Sequence, residues 1–584
     1  MTTVSFHFHG YQPGDVVRWR EPDPLKPPSW EERVSPVSHA VGDERFSGRN
    51  WTDAVLRSYG KLQAVLDQVA GVASVDIEPQ TLVWLLERDR TAYQRIRASV
   101  EKGTASLALT PPFHPILPHH HRFEREVLFE LMLDFYGPWL RRTPGEPIGL
   151  WLPEAAFSRA TLDDFERVAR RKAADSALPD LTPAVHLLLD SRQFTNPERT
   201  AGAWASIEGI LAAAGRDHPL SSDFAFGSVE PAEFARAVLA RGAPSLLVAS
   251  DLESLLANPM QAERFENIVQ ALRSGGATVR APAPPPGLPS DLAVEYSSWS
   301  DYDEYVRAGH TSDTRWTGLL RHEGVIVPRI HRGRRMTQLW KHAFTLATER
   351  CETAVRRAAQ KVLKDSGIDR APDVLRRLAV AYGRHLFHQH YRACGLATAD
   401  VDFGASLGSI GGGRLDPETA GFLARGYVFM LMGLRSDPRF WDNPDTRVTF
   451  QNVVFLALAL VDLSEALGRS GDPEASTRLL RLLRATLVEF AEGYARWDLG
   501  GLQGMEGWET TEAAWLESLA SEVPVRSGMD VMRRATLFAV GEHLSPSLGV
   551  PGARSPEVVA DTGHIAGEAH GHWENLAWCE HRSS

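Results

Sequence analysis

The sequence predicts an α/β fold: an incomplete (β/α)7 TIM-like barrel followed by an α-helical domain. Three observations predict it. Over roughly the first 290 residues, short apolar runs alternate about seven times with amphipathic stretches, the pattern of parallel βαβ units at the length of one barrel. Ala281 to Pro289 then reads APAPPPGLP, which neither a helix nor a central strand accommodates. Beyond Met336, apolar residues recur near a 3.6-residue period in long blocks. A doubly wound open sheet fits less well, because no glycine-rich turn follows the first strand. The expected domains are a barrel over 1–290, a junction over 291–336 and a helical domain over 337–584.

In order, the expected strands are Val4–His9, Ser74–Ile77, Ser106–Thr110, Ile148–Pro153, His186–Leu189, Leu246–Ser250 and, more weakly patterned, Ala277–Arg280. Runs such as Leu246-Leu-Val-Ala249 suit strands buried on both faces. Between them, Thr52–Val69, Arg122–Tyr136, Leu162–Arg171, Ala232–Arg241 and Ala262–Arg273 are amphipathic. Thr161, followed by Asp163 and Asp164, reads as a helix start, since acids favour the positive end of the helix dipole. The second half offers helices at Gln338–Leu363, Ala371–His390, Glu418–Leu434, Phe450–Leu467, Ala475–Arg496 and Met529–His543, with a glycine turn at Gly411–Gly413.

Composition narrows the function. The chain has 584 residues, and 63 basic against 74 acidic side chains give a net charge of −11. A nucleic acid or an anionic membrane surface would require a basic face, so neither is an expected partner. The longest apolar run, Val453 to Val461, falls well short of the ~20 residues that a membrane helix needs. Three scattered cysteines form no disulfide framework, and the N-terminus carries no basic and apolar leader. The expected compartment is the cytoplasm. Nothing in the pattern fixes an oligomeric state.

The first strand carries the strongest chemical signal. Val4, Phe6 and Phe8 alternate with Ser5, His7 and His9, so both histidines project to the face opposite the apolar set. In a barrel that face is the interior, and Gly10-Tyr11-Gln12-Pro13 ends the strand on the rim where barrel active sites lie. Two functional readings stay open, a His-x-His metal pair and a pair of donors for a polar ligand such as a sugar hydroxyl. Thr110-Pro-Pro-Phe-His114-Pro-Ile-Leu-Pro118 holds His114 between prolines that fix the backbone. Gly149-Leu-Trp151-Leu-Pro-Glu154 ends a strand with a carboxylate close to an indole, as a glycosidase requires. A second carboxylate is offered by Asp251, with Asp190 as its rival. Trp299 and Trp316 are spaced by polar residues in the junction, where they suit the wall of a carbohydrate cleft. His385, His388 and His390, and the His/Cys/Trp-rich tail around Cys579, read as structural.

Taken in order, these segments resemble the five sequence regions of glycoside hydrolase family 57, which contains α-amylases, 4-α-glucanotransferases and branching enzymes. The first region is His7-Phe-His9-Gly-Tyr11-Gln12-Pro13, the second His114-Pro-Ile-Leu-Pro118 and the third Trp151-Leu-Pro153-Glu154. The fourth lies near Asp251 and the fifth near Trp299. Pro79-Gln-Thr-Leu82-Val-Trp84 also looks like a strand-to-helix turn of a bacterial subgroup of that family. The resemblance implies a retaining mechanism on an α-glucan with no metal or other cofactor. It places Glu154 as nucleophile and Asp251 as general acid/base. His7, His9, Gln12 and His114 would hold sugar hydroxyls, and Trp151, Trp299 and Trp316 would line subsites. The fourth region departs from the family, reading Asp251-Leu252-Glu253-Ser254-Leu255 where members show Asp-Gly-Glu, an aromatic and a glycine. That departure keeps a non-catalytic carbohydrate-binding protein on the same fold as an alternative. A metal-dependent hydrolase using His7 and His9 is the other.

Overall fold

The computed structural model of the chain describes residues 2–11, 71–103, 106–140, 147–175, 185–194, 204–207, 211–226, 229–252, 255, 259–285, 288, 298–299, 314–317, 319–322, 325–328, 339–396, 403–410, 412–440, 447–482 and 510–511. Expectations for Thr52–Val69, Gln12, Glu253, most of Ala475–Arg496 and Met529–His543 lie outside the described residues. The chain divides into two compact units. One comprises 1–14, 41–302 and 387–398, the other 15–40, 303–386 and 399–584.

The first unit contains, in chain order, β1 (Thr3–Gly10), β2 (Ala73–Ile77), α1 (Pro79–Arg88), α2 (Arg90–Glu101), β3 (Ser106–Leu109), α3 (Arg122–Leu140), β4 (Ile148–Trp151) and α4 (Arg159–Asp175). It continues with β5 (Val185–Asp190), β6 (Trp204–Ile207), β7 (Leu211–Arg216), α5 (His218–Phe226), α6 (Pro231–Ala240), β8 (Ser245–Asp251), α7 (Pro259–Ser274) and β9 (Thr278–Val279). The parallel strands follow the order β1-β2-β3-β4-β5-β7-β8, and β8 pairs back onto β1. This is the expected seven-stranded barrel. Its seam lies between β7 and β8, which share the single register pair Arg216↔Leu247.

One stave comes from a segment other than the expected one. The seventh stave is β7, Leu-Ala-Ala-Ala-Gly-Arg, with β6 folded antiparallel beside it. Ala277–Arg280 instead supplies the two-residue β9, which pairs alongside the start of β1. Alanine and glycine carry none of the β-branched or aromatic signature by which strands are recognised, so β7 is silent in the sequence. The helix start at Thr161 also moves. α4 begins at Arg159, and Ser158 takes the capping position, its Oγ 2.9 Å from Thr161 Oγ1.

Alternation along β1 works as the sequence requires. Phe6 and Phe8 turn outward onto Phe265, with ring centroids 4.9 and 5.3 Å away, and onto Phe224. His7 and His9 turn inward. The barrel interior below them is filled by Ala108, Trp151, Leu188, Trp204, Ala214 and Leu247.

The second unit opens with α8 (Thr314–Thr317), β10 (Leu319–His322), β11 (Val325–Pro328), α9 (Leu339–Asp365) and α10 (Ala371–Leu386). The chain then passes through α11 (His388–Ala393), which belongs to the first unit, before α12 (Phe403–Ile410), α13 (Pro417–Met432), α14 (Asp437–Phe440), α15 (Arg447–Arg469) and β12 (Thr510–Thr511). The unit is largely helical, with a small antiparallel sheet β10-β11-β12 that the periodicity did not signal. The single helix expected over Ala371–His390 is broken at Phe387, whose ring leaves the helical path to pack 5.3 Å from Phe135. α13 and α15 pack closely because Gly426 and Gly433 have no side chain at the crossing. No described helix is long and apolar enough to cross a membrane.

Candidate active site

At the C-terminal ends of β1 to β4, backbone and side chains converge. Four non-glycine residues among those described adopt left-handed φ: Phe113 (71°), His114 (48°), Glu154 (59°) and Ala155 (46°). Such a conformation costs about 1–2 kcal/mol per residue, so neighbouring structure must hold it. Both pairs contain a residue singled out from the sequence. The buried carboxylate of Glu78 holds the first turn, accepting the Phe113 N–H at 2.8 Å while also capping α1 through the Thr81 N–H at 3.0 Å. Gln193 holds the second, its amide N–H donating to the Ala155 carbonyl at 2.8 Å.

A chain of polar contacts runs between these turns. β1 and β2 lie in register, His7 opposite Ser74 and His9 opposite Asp76. His7 Nδ1 is 2.8 Å from Ser74 Oγ, and its Nε2 is 2.9 Å from Asp76 Oδ1. His9 Nδ1–H donates to Asp76 Oδ2 at 2.7 Å, and its Nε2 lies 3.1 Å from His114 Nε2. The His114 ring stacks on Tyr11, with centroids 4.0 Å apart, and its Nδ1 is 4.0 Å from Glu154 Oε1. On the other side, the Trp299 indole N–H donates to Glu154 Oε2 at 2.7 Å, and the Trp299 backbone N–H donates to the Glu154 carbonyl at 3.3 Å.

Electrostatics follow from burial. Burial holds His7 below the ordinary imidazole pKa despite the adjacent Asp76, so its ring is neutral near pH 7. Burial alone would raise Asp76, yet the two histidines outweigh it and keep the carboxylate ionised. Asp76 therefore acts as a fixed acceptor that orients both rings. Asp190 is also held well below the usual carboxylate range: burial pushes upward, but Arg216, His218 and Arg192 outweigh it. Asp190 is thus committed to Arg192 and Arg216, whereas Asp251, its rival as second acid, is exposed at the end of β8.

The structure thus brings together His7, His9, His114, Glu154 and Trp299. Trp151 lies among them, buried, with its ring 5.1 Å from His7 and 5.4 Å from His9. Asp251 is the exposed last residue of β8, in register with His9 on the neighbouring strand. Leu252 behind it is buried and touches the position a Gly10 side chain would occupy. Trp316 is buried on α8 in the other unit, with Arg315 5.9 Å from its ring centroid. Among the described residues no group of three or more His, Cys, Asp or Glu side chains is disposed to hold a metal ion. Asp76 and Glu78 were missed. The polar alternation Ser74, Asp76, Glu78 beside a strand bearing His7 and His9 is the signal that would have found them.

A parallel barrel that presents a strained glutamate at the C-terminal rim, hydrogen-bonded to an indole and faced by a histidine, has the layout of a carbohydrate-active barrel enzyme. The chain matches the maltose-forming α-amylase-like N-terminal domain over residues 1–281 and the corresponding C-terminal domain over 315–562. Among solved structures it is similar to a novel exo-type maltose-forming amylase from Pyrococcus sp. ST04, with 31% identity over 94% of this chain and 93% of that one and a TM-score of 0.73. It is also similar to a GH57-type branching enzyme from Pyrococcus horikoshii, at 10% identity over 82% of this chain and 94% of that one, with a TM-score of 0.43. A third similar structure is 4-α-glucanotransferase from Thermococcus litoralis, at 12% identity over 80% of this chain and 59% of that one, with a TM-score of 0.41. No protein of curated function matches the chain. The chain belongs to the maltose-forming α-amylase-like family, and is a family 57-like glycoside hydrolase as its motifs implied.

Proposed function

We propose that the protein is a retaining α-glycoside hydrolase or transglycosylase acting on an α-linked glucan, with Glu154 as nucleophile and Asp251 as general acid/base. The observation that carries this reading is the setting of Glu154. It stands at the C-terminal end of a barrel strand in a left-handed turn, one carboxylate oxygen accepting an indole N–H and the other facing His114. In the first step Glu154 bonds to the anomeric carbon while Asp251, protonated, gives its proton to the departing glycosidic oxygen. In the second, the Asp251 carboxylate takes a proton from water or from an acceptor hydroxyl. That oxygen attacks the anomeric carbon, and Glu154 leaves as a carboxylate. His7, His9, Gln12 and His114 are proposed to hold hydroxyls of the reacting sugar, with Trp151 beside the histidine pair and Trp299 along the subsites, whereas Trp316, fully buried in the other unit, is not assigned to them.

The amylase from Pyrococcus sp. ST04 is described as exo-type and maltose-forming, which supports an α-glucan as substrate and maltose as the first product to look for. The test is incubation with maltooligosaccharides of defined length beside a Glu154→Gln control. Chains shortened or redistributed by the wild type, at a rate about a thousandfold or more above the control, are the expected result. Equal rates for the two proteins on every α-glucan overturn the reading. Glucan binding without turnover in both favours the binding-protein alternative that the altered fourth region raises.

A further inference from the structure

Behind Trp299 lies a charged cluster that the reaction as written does not use. Asp190, the fully buried last residue of β5, sits opposite Arg216 in the register of β5 and β7. Its Oδ1 accepts from Arg192, at 3.1 Å from the backbone N–H and 2.8 Å from Nε. Its Oδ2 accepts from Arg216 Nε at 2.9 Å and from Arg192 Nη2 at 3.2 Å. Both guanidiniums continue past Asp190 to one target. Arg192 also donates to the Trp299 carbonyl, and Arg216 lies 5.7 Å from the Trp299 ring centroid. The same turn reaches the glutamate from its other side, because Gln193 accepts the Asp190 N–H at 2.9 Å and donates to the Ala155 carbonyl. Gly215 permits this: a Cβ there would stand 2.8 Å from Ser191 Cα and 2.7 Å from the Phe194 ring, so only glycine lets the turn lie on β7.

We propose that Asp190, Arg192 and Arg216 form a clamp that seats the Trp299 indole N–H on one oxygen of Glu154, leaving the oxygen on the His114 side as the attacking atom. These are positioning residues, and the proposal rests on Glu154 being the nucleophile. The chemistry favours this layering. A neutral indole N–H orients the carboxylate and stabilises its ionised form without pairing its charge. The arginines, offset by Asp190, hold that donor in place from one layer back. Stability alone does not account for the geometry, since neither the Trp299 carbonyl nor its ring face is needed to satisfy Asp190.

The test uses Trp299→Phe, Asp190→Asn, Arg216→Lys and the Trp299→Phe/Asp190→Asn double variant in the full-length protein. On an activated α-maltoside, Trp299→Phe is expected to lower kcat about 10–100-fold, with KM changed less than about threefold. The acid limb of its kcat/KM profile should move to higher pH, because the ionised carboxylate has lost a donor. Asp190→Asn should reproduce both changes. The double variant should be no slower than the worse single one, because the clamp acts through the indole. Arg216→Lys keeps an ion pair to Asp190 but not the flat cation on the ring, and should give a weaker form of the same effects if Asp190→Asn does not fold. Losses that multiply in the double variant, or an unmoved acid limb in Trp299→Phe, overturn the clamp. An NMR readout separates this from failure of the glycosidase reading. The Trp299 indole N–H resonance of the unliganded protein should shift in Glu154→Gln and in Asp190→Asn or Arg216→Lys, whether or not any glucan is turned over. Turnover absent with those shifts present overturns the glycosidase reading and leaves only the seating of the indole on Glu154; a resonance unmoved by the clamp variants removes the clamp.

Discussion

Asp76 orients the two histidines that the first strand supplies. It is fully buried, and its two oxygens are shared between His7 and His9. Replacing it by asparagine leaves one ring facing an amide N–H instead of a carboxylate oxygen. Asp76→Asn is therefore expected to lower kcat/KM by about 10–100-fold, corresponding to about 1–3 kcal/mol for a buried polar group left mismatched. Steady-state kinetics on maltooligosaccharides check this, and an unchanged kcat/KM would mean that the orientation of His9 does not matter. What was legible at this scale was whatever strand alternation or proline placement marks directly: His7, His9, His114 and Glu154. Partners that arrive from a neighbouring strand or a distant turn, such as Asp76, Glu78 and Arg192, were not. Their roles depend on register and closure, which are properties of paired segments and not of one segment.

Elements with strong hydrophobic signatures were legible, and those defined by close approach were not. β1, β5 and β8 stand where their apolar runs placed them, whereas the alanine-rich β7 was missed because small residues pack a crowded barrel wall without looking like a strand. Small residues also set the crossing of α13 and α15. A Cβ on Gly426 would stand 2.8 Å from Asp462 Cβ and 3.1 Å from the Ala459 carbonyl oxygen, both on the facing helix. Gly426→Val is thus expected to destabilise the protein by about 1–3 kcal/mol, through overpacking that backbone atoms cannot relieve. Chemical denaturation checks it. A midpoint equal to the wild type would mean that the two helices can slide apart at no cost.

Across the whole molecule, buried neutral histidines tie stability to pH. His186, inside the barrel, and His390, against Phe135 and Tyr93, are both pushed down by burial to about 3 from an ordinary value of 6.5. Below pH 6.5 the unfolded chain binds protons that the folded one cannot. Stability is therefore complete above that pH and falls as pH drops toward 3. At pH 5 each histidine accounts for about 2 kcal/mol of lost stability. His186 isolates the effect, since neither ring nitrogen has a hydrogen-bond partner. His186→Leu should match or exceed the wild-type thermal midpoint at pH 8 and gain on it progressively down to pH 5. Parallel curves for the two proteins would contradict this. The barrel followed by a helical domain was readable from periodicity and the proline break. The small sheet of the second unit and the return of α11 to the barrel unit were not, because both depend on contacts between segments far apart in sequence.

The most direct measurement of the central claim is intact and peptide-level mass spectrometry after incubation with a slow-turnover fluorinated α-maltosyl donor. The account predicts one added glycosyl unit, carried by the peptide that contains Glu154 and absent from Glu154→Gln. A label on a different carboxylate, or rapid turnover of unmodified substrates with no label on any peptide, would contradict it.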